Sequence, residues 1–146
     1  FHVDDGTWTV AATLTGYTYA GTTIVVDGDE TATYSMTAQT ITAPSAASLC
    51  TVQFRVNLSG TAVSGAVCKA KLQGINQASD GTILSNAESS DTTDALGVAE
   101  LELVQKSSII KGSGVYRIWV EIAGNPVASV ETTIPNQSTI LYEDLL

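Results

Sequence analysis

The chain has 146 residues, room for one ordinary domain or two small ones. Its 15 acidic residues stand against 6 basic ones, for a formal charge of −9, and charged residues make up only 14% of the chain. So few cations leave no basic stripe to neutralise phosphates, which argues against nucleic acid and anionic membrane surfaces as partners, and no apolar run approaches the ~20 residues of a membrane helix.

The polar surface is carried instead by Thr, Ser, Asn and Gln. That suits β-sheet faces, where Thr fits the pleat. Period-two alternation runs through most of the chain. In "TWTVAATLTGY" Trp8, Val10, Ala12 and Leu14 share one face, and Thr7, Thr9 and Thr13 share the other. Trp8 is therefore expected inside. After Gly21, "TTIVVDGDETATYSMT" carries Ile24 and Val26 into Asp27-Gly28-Asp29-Glu30, then Ala32, Tyr34 and Met36 alternate with Thr31, Thr33 and Ser35. Asp-Gly between alternating runs predicts a hairpin. Residues 7–38 read as about three strands, too few to be stable alone. The preferred expectation is that the missing half of this block lies upstream of Phe1.

"TITAPSAASL", residues 40–49, breaks the alternation, and 43–48 reads as a short linker. A second block follows. Cys50, Val52, Phe54, Val56 and Leu58 point one way, against Thr51, Gln53, Arg55 and Asn57. Ala66, Cys68, Ala70 and Leu72 oppose Val67, Lys69 and Lys71. "TILSNAESS" predicts a third strand. The polar stretch "DTTDALG" then leads into Ala99, Leu101 and Leu103, alternating with Glu100 and Glu102. Tyr116, Ile118, Val120 and Ile122 form the next inward set. A turn at Asn125-Pro126 precedes Ala128, Val130 and Ile134. About seven strands with evenly spaced turns predict an all-β fold: an Ig-like or transthyretin-like Greek-key sandwich over 49–146, preceded by a partial β module over 1–42. The tail "PNQSTILYEDLL" stops alternating. It reads as a short helical turn or as a strap along a neighbour, so that deleting the last ten residues should weaken oligomers and leave the sandwich folded.

The residues argue against chemistry. His2 is the only histidine and has no defined partner for acid–base work. Cys50 and Cys68 lie on inward faces, where cysteine behaves as a small hydrophobe. Whether the two are bonded is left open. Two cysteines and one histidine are too few for a zinc site. The acidic groups Asp4-Asp5, Asp27-Asp29-Glu30 and Asp91–Asp94 lack EF-hand spacing and read first as turns. No catalytic, cofactor or metal residue is assigned, and the chain is not read as an enzyme.

Trp119 differs. It shares the outward face with Arg117 and Glu121, and an outward Trp beside charges is either covered by a neighbour, simply structural, or a glycan contact. Trp119, Arg117 and Glu121, together with Tyr142, Leu145 and Leu146 of the tail, are the interface candidates.

A family resemblance adds to this. "GTWTVAATLTGYTYAGTTIVVDGDETATYSMT", through Gly6, Trp8, Gly16, Tyr17 and the Asp27–Glu30 turn, resembles the closing half of a carboxypeptidase-regulatory-like (prealbumin-like) repeat. "VSGAVCKAKL" is similar to the opening of such a module and "TTDALGVAELEL" to its inner hairpin. "ASVETTIPNQSTILYEDLL" is similar to the ends of some phage fibre and virion-surface proteins. The resemblance implies a non-enzymatic structural module of a phage or virus particle: a fibre, tail or capsid-surface protein that mediates assembly or attachment. Its partners would be other subunits of the virion or fibre, with a host-surface receptor or glycan beyond them. A bacterial cell-surface adhesin stalk and an accessory domain of a secreted hydrolase are the alternatives.

Overall fold

Strand-forming, Thr- and Val-rich segments dominate throughout, and the computed structural model is all-β. It describes residues 5–10, 17–18, 22–28, 37–38, 40–74, 77–79 and 82–146. Expectations resting on His2, Asp4, Ala12, Leu14, Gly16, Asp29, Glu30, Ala32, Tyr34 and Met36, and on their alternating neighbours, lie outside the described residues. The chain divides into two compact units, residues 1–40 with 57–61, and residues 41–56 with 62–146.

The first unit contains β1 (Gly6–Val10), β2 (Tyr17–Thr18), β3 (Thr22–Val26) and β4 (Thr37–Ala38). β1 pairs antiparallel with β3, with Trp8 opposite Ile24, and β2 pairs with β4. The strand expected after the Asp27-Gly28 turn lies outside the described residues, so among the described residues the partner of β3 is β1, earlier in the chain. Trp8 is a correction, since it keeps 43% of its surface exposed. Among the described residues β1 has one strand neighbour, and a five-residue ribbon is too narrow to cover an indole.

β5 (Leu49–Arg55) opens the second unit and is followed by a small hairpin, β6 (Asn57–Leu58) and β7 (Thr61–Ala62), whose residues 57–61 fall with the first unit. Ser59 and Gly60 between them both have positive φ, 52° and 84°, the signature of a type I′ turn. This turn ends the alternation that began in β5, so Leu58, expected inside, is 65% exposed. Next come β8 (Val67–Leu72), β9 (Ala78–Ser79), β10 (Thr82–Ile83), β11 (Glu88–Thr92), β12 (Val98–Val104), β13 (Ile109–Lys111), β14 (Val115–Ile122), β15 (Asn125–Thr133) and β16 (Thr139–Leu141). One sheet has the order β11-β8-β14-β15 and a second the order β12-β5-β16, with β16 parallel to β5. A small third sheet, β10-β9-β13, lies at the connections.

The inward rows of the two main sheets form one core. Cys50, Val52 and Phe54 of β5, Ala99, Leu101 and Leu103 of β12, and Ile140 of β16 come from one sheet. Cys68, Ala70 and Leu72 of β8 and Tyr116, Ile118 and Val120 of β14 come from the other. This is the arrangement of a sandwich, two inner faces interdigitating. The alternation in β8, β12 and β14 places the buried residues as the sequence pattern predicts.

Two connections differ from expectation. The turn between β14 and β15 is Ala123-Gly124, with φ of 50° and 78°, and Asn125-Pro126 already belongs to β15. Pro126 is accommodated because β15 is an edge strand and the ladder slips between Val120 and Glu121, opposite Pro126. The "TTDALG" connection does not close a hairpin within one sheet. It crosses from β11 in one sheet to β12 in the other. There Asp94 Oδ1 accepts from the backbone N–H groups of Leu96 and Val98, at 2.8 and 3.0 Å. Gly97 has φ +75°, and a Cβ there would collide with the Val56 carbonyl.

Residues 41–48, which include the stretch read as a linker, are tied to the outward face of the β12-β5-β16 sheet. Ser45 donates from its N–H and its hydroxyl to Glu102, each at 2.6 Å, and Thr42 N–H donates to Glu100 at 3.1 Å. Thr51 and Gln53 on that face are buried, with Gln53 Nε2 donating to Glu100 at 2.9 Å.

Of the two readings of the tail, the short helical turn is the one present. β16 adds to its own sheet, and a 3-10 turn over Tyr142–Leu145 follows it. Gln105, itself buried, donates from Nε2 to the carbonyls of Leu49 and Gln137 and so fastens the segment leading to β16. The tail is part of the sandwich rather than a free strap.

Candidate interface site

Outward residues of β14 can be laid out by register. Arg117 stands opposite Lys71 of β8 and Glu131 of β15. Trp119 stands opposite Lys69 and Ser129. Glu121 stands opposite Val67, and Glu88 of β11 opposite Lys71. The four-stranded sheet thus gathers Lys69, Lys71 and Arg117, three of the six basic residues of the chain, around one tryptophan.

Trp119 is half-buried. Arg117 lies over its ring at 5.4 Å from the centroid and Lys69 at 5.8 Å. Its Nε1–H donates to Glu121 Oε1 at 2.8 Å. Lys69 Nζ bridges Glu121 Oε2 at 3.1 Å and Glu88 Oε1 at 3.5 Å. The hydrogen bond from Trp119 is the main cause that holds the Glu121 carboxyl below its ordinary value, followed by Lys69; the hydrogen bond to Glu121 in turn raises Lys69. Exposed ion pairs and cation–π contacts of this kind are screened by solvent and weak. The cluster orients Trp119 but contributes little to stability beside the core.

Arg117 and Lys71 remain different from Lys69. Both are exposed, and among the described residues neither forms an ion pair. Glu131, although opposite Arg117 in register, is not paired with it.

The expected interface residues therefore separate. Trp119, Arg117 and Glu121 come together on one solvent-facing sheet. Tyr142 does not join them: it is 7% exposed, with its ring stacked on Phe54 at 4.9 Å between centroids and 27° between planes. The tail does not alternate, and the 3-10 turn swings Tyr142 into the core rather than to the surface expected of an interface residue. Leu145 packs partly against that core, and Leu146 stays 72% exposed. Sequence reasoning missed Lys69, Lys71 and Glu88 as members of the site. Their outward direction was readable from alternation, but that β8 lies between β11 and β14 was not.

Other polar side chains hydrogen-bond within the fold. Asp91 Oδ2 accepts from Glu100 N–H on the edge strand β12, at 2.9 Å, and Asp91 Oδ1 accepts from Thr92 N–H. Thr93 Oγ1 donates to the Val63 carbonyl and accepts from Ala66 N–H. Cys50 and Cys68 are free and buried, and burial pushes their thiols up to about 11 and about 12, with Asp91 adding to the second. Such thiols stay protonated and unreactive at neutral pH. Among the described residues no group of three His, Cys, Asp or Glu side chains is placed to hold a metal ion. No protein-family model, curated protein or solved structure matches the chain.

Proposed function

We propose that this chain is a non-enzymatic structural module of a phage or virus particle, an immunoglobulin-like or transthyretin-like Greek-key sandwich in a fibre, tail or capsid-surface protein. Its partners on this reading are neighbouring subunits, met through the outward face of the β11-β8-β14-β15 sheet. The observation that carries the reading is Trp119, held half-buried on a solvent-facing sheet between Arg117 and Lys69. Tryptophan and arginine are the residues most enriched in protein-interface hot spots, and a pre-oriented aromatic costs little entropy on docking. The cations over the indole occupy the ring that a sugar would stack on, which favours a protein partner over a glycan. The edge strand β15 carries Pro126 and Glu131, devices that discourage indiscriminate edge pairing and leave the face as the selective surface.

The test is mass photometry of the native material combined with mass spectrometry of purified particles. Recovery of the chain in a large symmetric assembly, in fixed ratio to other particle proteins, supports the reading. Its absence from particles, with a monomer as the native form, overturns it.

A further inference from the structure

The face around Trp119 and the acidic end of the chain complement each other. Arg117 and Lys71 sit directly opposite one another on adjacent strands, and like charges so placed are mutually destabilising. Neither is neutralised within the chain among the described residues. Of the carboxylates on this face, Glu88 and Glu121 bind Lys69, while Glu131 stands opposite Arg117 without forming an ion pair. Among the described residues the face therefore presents two cations outside any ion pair, beside an aromatic ring, on a molecule whose overall charge is −9.

In the last turn described, Glu143, Asp144 and Leu146 are exposed, while Tyr142 before them is buried and Leu145 among them packs partly against the core. Leu146 N–H donates back to the Glu143 carbonyl at 3.4 Å and closes the turn. This turn is thus a held knob carrying two carboxylates and one apolar side chain. Resting on the assembly reading above, we infer that Glu143, Asp144 and Leu146 of one copy dock on the Arg117–Lys71–Trp119 face of the next copy.

Two carboxylates meet two cations, and the leucine packs against the aliphatic stems of those cations. Because the knob is anchored at Tyr142 and Leu145, little conformational entropy is lost on docking. A contact between two different patches of the same molecule is heterologous, and repeats as an open row unless the rotation closes it.

The test uses the full chain in sedimentation velocity, with far-UV circular dichroism to verify folding. One variant reverses the face (Lys71→Glu with Arg117→Glu) and another reverses the end (Glu143→Lys with Asp144→Lys). All four positions are exposed, so both variants are expected to fold. Each alone should self-associate about a hundredfold more weakly than the native chain, given the coupling of close interfacial charge pairs. Mixed in equal amounts, they should regain association to within about tenfold, because each now offers what the other lacks. A native chain that stays monomeric, or variants that associate as well as it does, or a mixture that fails to recover, overturns the inference. If the chain is nonetheless found in particles, the inference alone has failed and the structural-module reading stands.

Discussion

Truncating Tyr142 tests whether the tail belongs to the sandwich. Its ring is stacked on Phe54, which is fully buried, and only 7% of Tyr142 is exposed. Removing a buried aromatic leaves a cavity as well as a lost transfer term, so Tyr142→Ala should cost about 3–5 kcal/mol. That is a large share of the ~5–15 kcal/mol that holds a domain together. With a urea slope near ~2 kcal/mol/M, the midpoint should fall by about 1.5–2.5 M. Tyr142→Phe separates ring from hydroxyl. Tyr142 Oη is buried without a protein partner, and such a group is costly to keep desolvated. Its removal should leave the midpoint unchanged or raise it by up to about 0.5 M, at ~1 kcal/mol. The assay is equilibrium urea unfolding by circular dichroism and by fluorescence in a Trp8→Phe background, where Trp119 alone reports. A shift below ~0.5 M for Tyr142→Ala would refute the placement of the tail in the core. A comparable loss for Tyr142→Phe would show that the hydroxyl is bonded after all.

Three further outcomes are expected. Ala123 is held at φ 50°, a conformation that costs a non-glycine residue about 1–2 kcal/mol. Ala123→Asn, which turns Ala-Gly into the Asn-Gly of a type I′ turn, should raise the thermal midpoint of the sandwich, and an unchanged or lower midpoint contradicts the turn assignment. The Glu102 carboxyl is held below its ordinary 4.5 by the hydroxyl and N–H of Ser45, so its contribution is present above about 4.5 and is lost as the pH falls through the depressed value. Urea midpoints between pH 6 and pH 2 should therefore decline less steeply in Ser45→Ala than in the native chain; identical acid limbs would dismiss the Ser45–Glu102 tie. Cys50 and Cys68 should resist Ellman's reagent at neutral pH and release two thiols together on unfolding, whereas rapid labelling of the folded chain would place them at the surface.

Alternation made the sandwich legible wherever a strand has one dry face. The inward sets of β8, β12 and β14 are readable residue by residue, and so is the outward placement of Trp119 with Arg117 and Glu121. Strand neighbours were not readable. Which strand lies beside β14 decides that Lys69 and Lys71 join Trp119, and period-two reading carries no such information. Turns misled where two residues of positive φ have no Asn or Asp, as at Ser59-Gly60 and Ala123-Gly124, so Leu58 and Pro126 were misplaced. Thr51 and Gln53 read as solvated because they point outward, yet they are buried on the face to which residues 41–48 are tied through Glu100 and Glu102. Tyr142 was hidden by the opposite problem, a short 3-10 turn having no periodicity long enough to reveal its buried side.

The most direct measurement is hydroxyl-radical footprinting of Trp119, read by mass spectrometry, in the purified native assembly and in the isolated chain. The interface account predicts strong protection of Trp119 on assembly, together with protection of the peptide carrying Glu143 to Leu146. Equal oxidation of Trp119 in both states would contradict it, because the face would then be open to solvent where the account places a neighbouring subunit.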